Sequence, residues 1–431
     1  MNSIELLKIE KCGNSIRFDF RYSEELKKYF TGVDFCITYP ENIEQVPDGV
    51  LAIPFATNTL QIAWLADCEL IIPELDRDFY ESIPNFLQGF KEMYPEATFA
   101  GKLTIGRIVD CRPEKSGESA TFFSGGLDAT TTLLRHMDER PHLISIWGSD
   151  VDYDNETGWG VVEKGLRETA KQYDLPLAVI RSRFREFDDV VKLTEDFRGV
   201  LQTSWWYGVK HGIGLIGHAA PYAWLHGVNM VYIASSHCID EGKVRCASDP
   251  SIDSNLAFCG SKVWHDAFEM DRMTKINYMV DYHRKNPEIP TKVHVCWSSD
   301  TGENCCSCEK CCRTMTGILV AGADPQKFGF LRSEDAIDRL YQYVALRCED
   351  LASHAAWHFM QKELREKWDS LSHLPYRDKL EWILDFDFAH PEENECRKKY
   401  RKTWVWKSRI VKTFPRLYKL YIKIRGYSFA E

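Results

Sequence analysis

The sequence predicts an α/β protein: a parallel sheet with helices on both faces, joined to a β-rich N-terminal domain and a helical C-terminal region. The sheet is predicted because short apolar runs alternate with helical patterns over residues 119–325. Length and composition agree, since 431 residues with 44% apolar and 27% charged side chains can form a large core. The apolar runs are Thr121–Phe123, Leu143–Trp147, Leu177–Ile180, Met230–Ala234 and Val293–Val295.

The N-terminal domain is predicted to span residues 1–118. Ile16, Phe18 and Phe20 alternate with polar residues, which is the period of a half-buried strand. An amphipathic helix is expected at Asp76–Tyr94. Two further apolar stretches continue the strand pattern, Val50–Phe55 and Leu60–Leu65. The region has no chemical motif, so no catalysis is assigned to it.

The central domain is predicted to span residues 119–325, and the C-terminal region residues 326–431. After the second apolar run, a helix is predicted from the single apolar stripe made by Val161, Val162, Leu166 and Ala170. Parallel sheets bind ligands at the carboxyl ends of their strands, so functional residues are expected there.

Charge is distributed unevenly along the chain. It has 54 Lys and Arg against 64 Asp and Glu, a net charge of −10. The segment Arg397–Arg425 holds twelve basic residues and no acidic one, which leaves −22 on the rest. This basic tail is expected to pack on the acidic body or to contact a partner. A membrane surface, RNA or DNA is the alternative, and nucleic acid is not favoured.

Location and redox state follow from the first residues and the cysteines. Met1–Glu5 lacks the basic start and apolar stretch of a secretory signal, and no run of 18 apolar residues exists, so we expect a cytoplasmic protein without a membrane span. Fifteen cysteines in such a chain indicate metal binding or reduced core thiols. The oligomeric state stays open, with a homodimer as one option.

The segment Thr121–Thr130 has the most informative motif. An apolar strand leads into Ser124, Gly125 and Gly126, and Asp128 then opens a helix. Two glycines allow a tight turn whose amides approach an anion, and the helix N-terminus favours negative charge. Ser124 can donate a hydrogen bond, and Asp128 can hold a magnesium ion on phosphates. The alternative is an ordinary turn in which Asp128 caps the helix.

The Gly-Lys-Ser/Thr ending of a Walker motif is absent. The loop instead resembles the pyrophosphate loop (PP-loop), Ser-Gly-Gly-x-Asp-Ser, of the ATP pyrophosphatases, which cleave ATP to AMP and pyrophosphate. Ala129 stands at the final serine, and Thr130 is expected to supply that hydroxyl. The resemblance implies an ATP site made of Ser124, Gly125, Gly126, Leu127, Asp128 and Thr130.

A cluster of six cysteines predicts a metal site. Four thiolates at the spacing Cys-x8-Cys-x2-Cys-x2-Cys can close around one tetrahedral zinc, which makes the site structural. These four are Cys296, Cys305, Cys308 and Cys311. Cys306 and Cys312 interrupt the spacing and are alternative ligands. A redox role for Cys308 and Cys311, or a set of scattered core thiols, is less favoured.

The loop and the cysteine spacing, about 170 residues apart, together resemble the 7-cyano-7-deazaguanine synthase (QueC) family over residues 119–325. The resemblance implies an adenine nucleotide alpha hydrolase-like fold, with ATP, Mg²⁺ and Zn²⁺ bound. In that family, ATP activates a carboxylate on a deazaguanine as an acyl adenylate, ammonia attacks to give an amide, and a second activation gives the nitrile. The present chain resembles an enlarged member. Enlarged relatives also occur in bacterial accessory and antiviral operons, where an acceptor amine other than ammonia is one option. For the present chain, the resemblance implies ammonia or a partner protein as the amine donor.

Further candidates lie outside the two motifs. Arg272 and Lys275 are three residues apart on a predicted helix and are expected to neutralise the departing pyrophosphate. A solvent-exposed basic face is the alternative. His265–Asp266 is expected on the same helical stretch. Lys210–His211 precedes a glycine-rich helix and either approaches the adenylate or only starts that helix.

The segment Ala234–His237 ends the fourth predicted strand at the ligand-binding edge. In the segment that follows, Asp249 and Asp253 are candidates for holding magnesium or the acceptor. Lys243 or Arg245 is a candidate for contacting a carboxylate or phosphate. The alternative is a solvated loop built around Asp-Pro.

These observations predict an ATP-dependent carbon–nitrogen ligase that acts on a small-molecule carboxylate. Two rival classes remain. The first is an RNA-modifying enzyme of the same superfamily that holds tRNA with its basic tail, which strong salt-dependent RNA binding would favour. The second is a catalytically silent nucleotide-binding scaffold, which ATP binding without turnover would favour.

Overall fold

The computed structural model describes residues 2–114, 117–296, 303–306, 308–330, 354–374, 377–388 and 390. The chain divides into two compact units. The first contains Met1–Ser124 and Asp128–Glu269, and the second contains Gly125–Leu127 and Met270–Glu431. No helix in the described ranges is long and apolar enough to cross a membrane. The basic tail Arg397–Arg425 lies outside the described residues.

The first unit is built on one sheet of eleven strands. They are β1 (Ser3–Cys12), β2 (Ser15–Tyr22), β3 (Cys36–Thr38), β4 (Glu69–Asp76), β5 (Lys102–Val109), β6 (Glu118–Phe122), β7 (His142–Trp147), β8 (Leu177–Ser182), β9 (Val228–Ala234), β10 (Ala257–Phe258) and β11 (Ser261–Asp266). Their order across the sheet is β10-β11-β9-β6-β7-β8-β3-β2-β1-β4-β5. The five strands from β11 to β8 are parallel, as are β1, β4 and β5. A large, mostly parallel sheet is therefore confirmed.

The strand order reverses direction at β6. The chain runs from β6 to β7 and β8 on one side of β6, and then returns to β9 and β11 on the other side. In open α/β sheets, the connections that follow the two strands at such a reversal lead away in opposite directions. This leaves a crevice between them, outside the carboxyl ends of the strands. The strand order therefore predicts a crevice at the ends of β6 and β9.

Helices connect the strands. Up to residue 269 they are α1 (Asp48–Leu51), α2 (Ile53–Leu65), α3 (Arg77–Met93), α4 (Leu127–Arg135), α5 (Glu156–Tyr173), α6 (Val190–Leu201), α7 (Ile213–Ile216), α8 (Ala219–His226) and α9 (Pro250–Asp253). Shorter turns lie at Glu24–Tyr29, Met137–Glu139 and Ile239–Glu241, with a π-helical turn at Trp206–Lys210. The predicted helix at Asp76–Tyr94 is α3, which begins because the Asp76 carboxylate accepts the Phe79 N–H.

The strand prediction for Val50–Phe55 and Leu60–Leu65 is wrong, because these stretches form α1 and α2. Every residue from Ile53 to Trp64 is buried, so the apolar run has neither the period of a half-buried strand nor that of an amphipathic helix. The polar side chains inside α2 donate to its own backbone; Thr57 and Asn58, for example, bond the carbonyls of Ile53 and Pro54.

Four of the five predicted strands of the central domain match β6 to β9. The fifth, Val293–Val295, is wrong: its N–H groups bond to separate loop segments and make no ladder. The helical prediction for His265–Asp266 is also wrong, since both residues end β11. There His265 is buried and Trp264 exposed, which is the period-2 pattern of a strand.

The predicted division into 1–118, 119–325 and 326–431 stays a prediction. The sheet contains strands from both sides of residue 118, because β3 pairs with β8 through Ile37 and Ser182. One hydrophobic core likewise extends from Ile4 to Val263.

The second unit is helical in the residues described. It contains α10 (Arg272–Lys285), α11 (Glu309–Val320), α12 (His354–Lys367) and α13 (Arg377–Asp385), with 3₁₀ turns at Pro325–Phe328 and Ser370–His373. Gly317 lets α11 approach α10 closely, since a β-carbon at this position would lie 2.2 Å from Cδ1 of Ile276. A hydrogen bond of 2.8 Å from Asn277 to Glu363 joins α10 to α12. The helical C-terminal region is thus confirmed where it is described.

Candidate functional site

The loop between β6 and α4 has a backbone that suits an anion. Phe123 continues the hydrogen bonding of β6 by donating its N–H to the carbonyl of Ile144 at 2.8 Å. Gly125 follows with φ of +76°, a conformation that favours glycine. Asp128 lies in the first turn of α4, where backbone N–H groups have no partner within the helix. The turn and the helix N-terminus that the predicted phosphate loop requires are both present.

The first turn of α4 contains a buried hydroxyl that has no hydrogen-bond partner among the described residues. Thr130 is 4% exposed, and its Oγ1 has no hydrogen-bond partner within the described part of the chain. Ala129 beside it is buried too. An unsatisfied hydroxyl in the first turn of α4 fits the expected role of Thr130 in place of the missing serine.

The ends of β6 and β9 bring two serines to the same level of the sheet. Thr121 of β6 and Tyr232 of β9 are paired residues in the parallel register. Ser124 and Ser235 each lie three residues further along their own strand. Both therefore lie at the carboxyl edge of the sheet, where a crevice is expected.

A hydrogen-bonded chain of titratable side chains follows β9. Nδ1 of His237 lies 2.6 Å from Oε2 of Glu241, and Nε2 lies 2.5 Å from the hydroxyl of Tyr207. Burial raises the pKa of Tyr207, so this residue is a neutral phenol at pH 7. Cys246 lies beside this chain, and burial raises its pKa to about 12, which makes it an unreactive thiol.

Several weaker candidates serve the fold instead. Lys210 is fully buried and pairs with Asp188 at 2.7 Å. Arg245 donates to the carbonyl of Val200 near the end of α6 and pairs with Glu96. The predicted solvated loop is wrong for Asp253, which is completely buried.

Asp253 accepts hydrogen bonds from Ser248 and from Nδ1 of His265, at 2.8 and 2.9 Å. Burial raises its pKa, against the opposing effect of His265. The neighbouring Asp249 caps α9 by accepting the N–H of Ser251. A magnesium role for these two carboxylates is therefore not supported by their surroundings.

Arg272 and Lys275 both lie in the first turn of α10, as predicted. Lys275 is only 2% exposed, so the alternative of a solvent-exposed basic face is wrong for this residue. Their contact with a departing pyrophosphate stays a prediction.

The four predicted cysteine ligands lie together. The sulfur atoms of Cys296, Cys305, Cys308 and Cys311 are all within 4.8 Å of one another, and the pairs Cys296–Cys308 and Cys305–Cys311 are 3.9 Å apart. Tetrahedral zinc with Zn–S bonds of about 2.3 Å would place its sulfur ligands about 3.8 Å apart. The group could therefore hold a metal ion such as zinc.

The four thiols change one another's pKa values. Cys305 raises the pKa of Cys296, but hydrogen bonds with Cys308 and Cys311 outweigh this effect and lower the pKa to about 6. Cys296 in turn raises the pKa values of Cys308 and Cys311. Four crowded thiols cannot all ionise without a neutralising cation, and a bound metal supplies one.

The two extra cysteines are placed differently. Cys306 has a positive φ of 54°, and its sulfur contacts the carbonyl of Asn304 at 3.4 Å. Cys312 lies inside α11 and is fully buried. Neither belongs to the described group that could hold a metal ion.

Sequence reasoning missed two residues beside these motifs. The N–H of His294 donates to the carbonyl of Gly125 at 2.8 Å, and its buried Nε2 has no partner within the described ranges. Asn304 is buried and accepts the N–H of Val295 at 2.9 Å, while its amide donates to the carbonyl of Val293. The sequence did contain a signal for Asn304, because this residue directly precedes the predicted ligand Cys305. It contained no signal for His294.

The fold and site define an α/β protein with a large, mostly parallel sheet and a tetracysteine group that could hold a metal. Comparison with known proteins adds no relative: no family model matches the chain, and neither a curated protein nor a solved structure matches it.

Proposed function

We propose that the protein is an ATP-dependent carbon–nitrogen ligase of the PP-loop type. It activates a carboxylate, on a deazaguanine-like substrate, as an acyl adenylate and releases pyrophosphate. A nitrogen nucleophile then displaces AMP. The observation that carries the proposal is the backbone of the loop after β6: Gly125 at φ +76° followed at once by the N-terminus of α4, at the strand where the sheet order reverses.

The chain's own groups have defined tasks in this proposal. The hydroxyl of Ser124 and the amides of the loop donate to phosphate oxygens as negative charge builds on the departing pyrophosphate. Asp128 holds Mg²⁺, which neutralises charge on the phosphates. Arg272 and Lys275 add positive charge on the leaving-group side. The hydroxyl of Thr130 takes the place of the serine that Ala129 replaces.

The tetracysteine group has a structural task. Four cysteine ligands leave zinc no open position for a substrate or water. The group ties the segment before α11 to the first turn of that helix, where Cys311 lies, and no chemical step is assigned to it.

The test is release of AMP and pyrophosphate from ATP and Mg²⁺ by the purified protein. The substrates are 7-carboxy-7-deazaguanine with ammonia and, separately, a cell extract. We compare Asp128→Asn with the matched control Asp138→Asn, which alters an exposed aspartate just beyond the same helix. Release by the wild type and the control, with loss of at least about 100-fold in Asp128→Asn, supports the proposal.

Other outcomes point elsewhere. Lack of release by folded, zinc-loaded wild-type protein overturns the deazaguanine ligase proposal. ATP binding without turnover then favours a nucleotide-binding scaffold. Release that requires added tRNA favours an RNA-modifying enzyme.

A further inference from the structure

The three hydrogen-bonded side chains of Tyr207, His237 and Glu241 have no assigned role in the proposed function. They come from two separate segments, the π-helical turn at Trp206–Lys210 and the loop after β9. π-helical turns are frequent at functional sites because they shift the helix register locally. The N–H of Ala247 donates to the carbonyl of Tyr207 and holds this turn in place.

The direction of the hydrogen bonds follows from chemistry. An ionised carboxylate only accepts, so Glu241 requires Nδ1 of His237 to carry the proton. Nε2 of His237 then has a free lone pair, and the Tyr207 hydroxyl donates to it. Tyr207 is therefore the proton donor, His237 the base, and Glu241 the carboxylate that stabilises the imidazolium. This is the arrangement of a general-base relay.

The location suits a reaction at the crevice. His237 lies two residues beyond Ser235, at the carboxyl end of β9 and next to the strand that leads into the phosphate loop. Its side chain is 23% exposed, and that of Glu241 is 16% exposed. Tyr207, whose oxygen takes up the proton in the step proposed here, is half-buried as well. The three side chains are therefore not sealed from solvent, as a fully buried network would be.

We propose that Tyr207, His237 and Glu241 deprotonate the nitrogen nucleophile that attacks the acyl adenylate. This inference rests on the proposed function. As the new C–N bond forms, an N–H proton of the nucleophile passes to the Tyr207 oxygen while the Tyr207 proton passes to Nε2 of His237. The C–O bond to AMP breaks, and AMP leaves with the bonding electrons. Glu241 holds the imidazolium until the proton returns to water.

The test separates activation from nucleophilic attack. ATP–pyrophosphate exchange with 7-carboxy-7-deazaguanine measures activation alone, and amide formation with ammonia measures the whole reaction. Tyr207→Phe should keep exchange within about two-fold and lose about 100-fold in amide formation, the size of a general-base effect. Hydroxylamine attacks acyl adenylates without base assistance, so hydroxamate formation should stay near the wild-type rate.

The matched control is Tyr222→Phe. Tyr222 in α8 also bonds a histidine, His142, at 2.9 Å, but His142 begins β7 and so lies at the amino end of a strand, whereas His237 follows the carboxyl end of β9. The control variant should leave exchange, amide formation and hydroxamate formation unchanged. Loss of all three activities in Tyr207→Phe but not in Tyr222→Phe assigns Tyr207 a structural role and overturns the relay.

The positioning residues are tested by non-additivity. His237→Gln can still accept from Tyr207 but cannot take up a proton, so it should show the same selective loss with ammonia. The double variant Tyr207→Phe/His237→Gln should be no slower than either single variant, because the groups act as one unit. The relay is overturned if the losses in amide formation of the two single variants multiply in the double variant. It is also overturned if Tyr207→Phe leaves amide formation unchanged. Absence of exchange in the wild type overturns the proposed function itself, and with it the step assigned here.

Discussion

The backbone N–H of His294 donates a hydrogen bond of 2.8 Å to the carbonyl of Gly125. His294 lies two residues before Cys296, so the glycine of the phosphate loop is held by the segment that leads into the tetracysteine group. The next residue, Val295, is fixed by the side chain of Asn304, which directly precedes Cys305. The loop and the cysteine ligands are thereby joined through two hydrogen bonds made by consecutive residues, His294 and Val295.

Removal of the metal should loosen this connection. We expect a zinc chelator to increase the amide hydrogen-exchange rate of His294 by at least ten-fold, because metal binding organises the segment that positions its N–H. Exchange measured by NMR, with and without chelator, tests this. An unchanged rate in metal-free protein would show that the hydrogen bond to Gly125 does not depend on the cysteine site.

Zinc content should distinguish the ligands from the neighbouring cysteines. Cys305→Ser removes a predicted ligand, so we expect well under one zinc per chain. Cys306→Ser changes a cysteine outside the group of four and should retain one zinc. Metal analysis of the two purified variants measures this. Retention by Cys305→Ser together with loss by Cys306→Ser would reassign the fourth ligand.

Gly125→Ala should destabilise the protein. A side chain at φ +76° costs about 1–2 kcal/mol, although a β-carbon there would meet only Cβ of His294, at an ordinary contact distance of 4.0 Å. The control is Gly160→Ala in α5, an exposed helical position with no neighbouring atom within 4 Å, where alanine should stabilise by about 0.5–1 kcal/mol. Urea denaturation of both variants gives the two changes in the free energy of unfolding. Equal changes would exclude backbone strain at Gly125.

The sequence predicted features that depend on local pattern. The strands β6 to β9 are short apolar runs between polar turns, and the cysteine ligands keep a fixed spacing, so neither needs knowledge of distant contacts. The helix α2 was missed because burial on every side removes the periodicity that separates a helix from a strand. β11 was missed because its alternation covers few residues and α10 follows only a short turn later.

Contacts between distant segments could not be predicted. Tyr207 and His237 are 30 residues apart and meet only because the π-helical turn packs on the loop after β9. Likewise, nothing in the sequence around Lys210 indicates that its ammonium group is buried against Asp188. Such pairs depend on tertiary packing, whereas residue spacing reports only neighbours along one element.

Lys210→Met should be strongly destabilising. It leaves the Asp188 carboxylate buried without its cation, which costs about 3–5 kcal/mol. The double variant Lys210→Met/Asp188→Leu removes both charges and should recover at least half of the loss. Urea unfolding of the single and double variants tests this. A double variant as unstable as the single one would show that packing, and not the unpaired charge, dominates.

His136 should stabilise the protein in a pH-dependent way. Its ring stacks on Tyr232, and its two nitrogens contact Glu139 at 3.0 Å and Asp266 at 3.3 Å. Burial lowers the pKa of His136, but the hydrogen bonds with Asp266 and Glu139 outweigh it and raise the pKa above 6.5. Because the folded state binds the proton more tightly, the contribution is complete below pH 6.5 and is lost as pH rises through the folded pKa.

Asp266, the partner of His136, sets the lower limit of the pH range in which this histidine stabilises the protein. Burial raises the pKa of Asp266, but His136 and Arg135 outweigh it and hold the pKa below 3.8, so the pair stays charged at pH 5.5. We expect His136→Gln to lower the unfolding free energy by about 1.5 kcal/mol at pH 5.5, and by much less at pH 8.5, where the histidine is neutral. Urea denaturation of wild type and variant at both pH values measures the difference. An equal loss at the two pH values would show that stacking on Tyr232, rather than charge, is what His136 contributes.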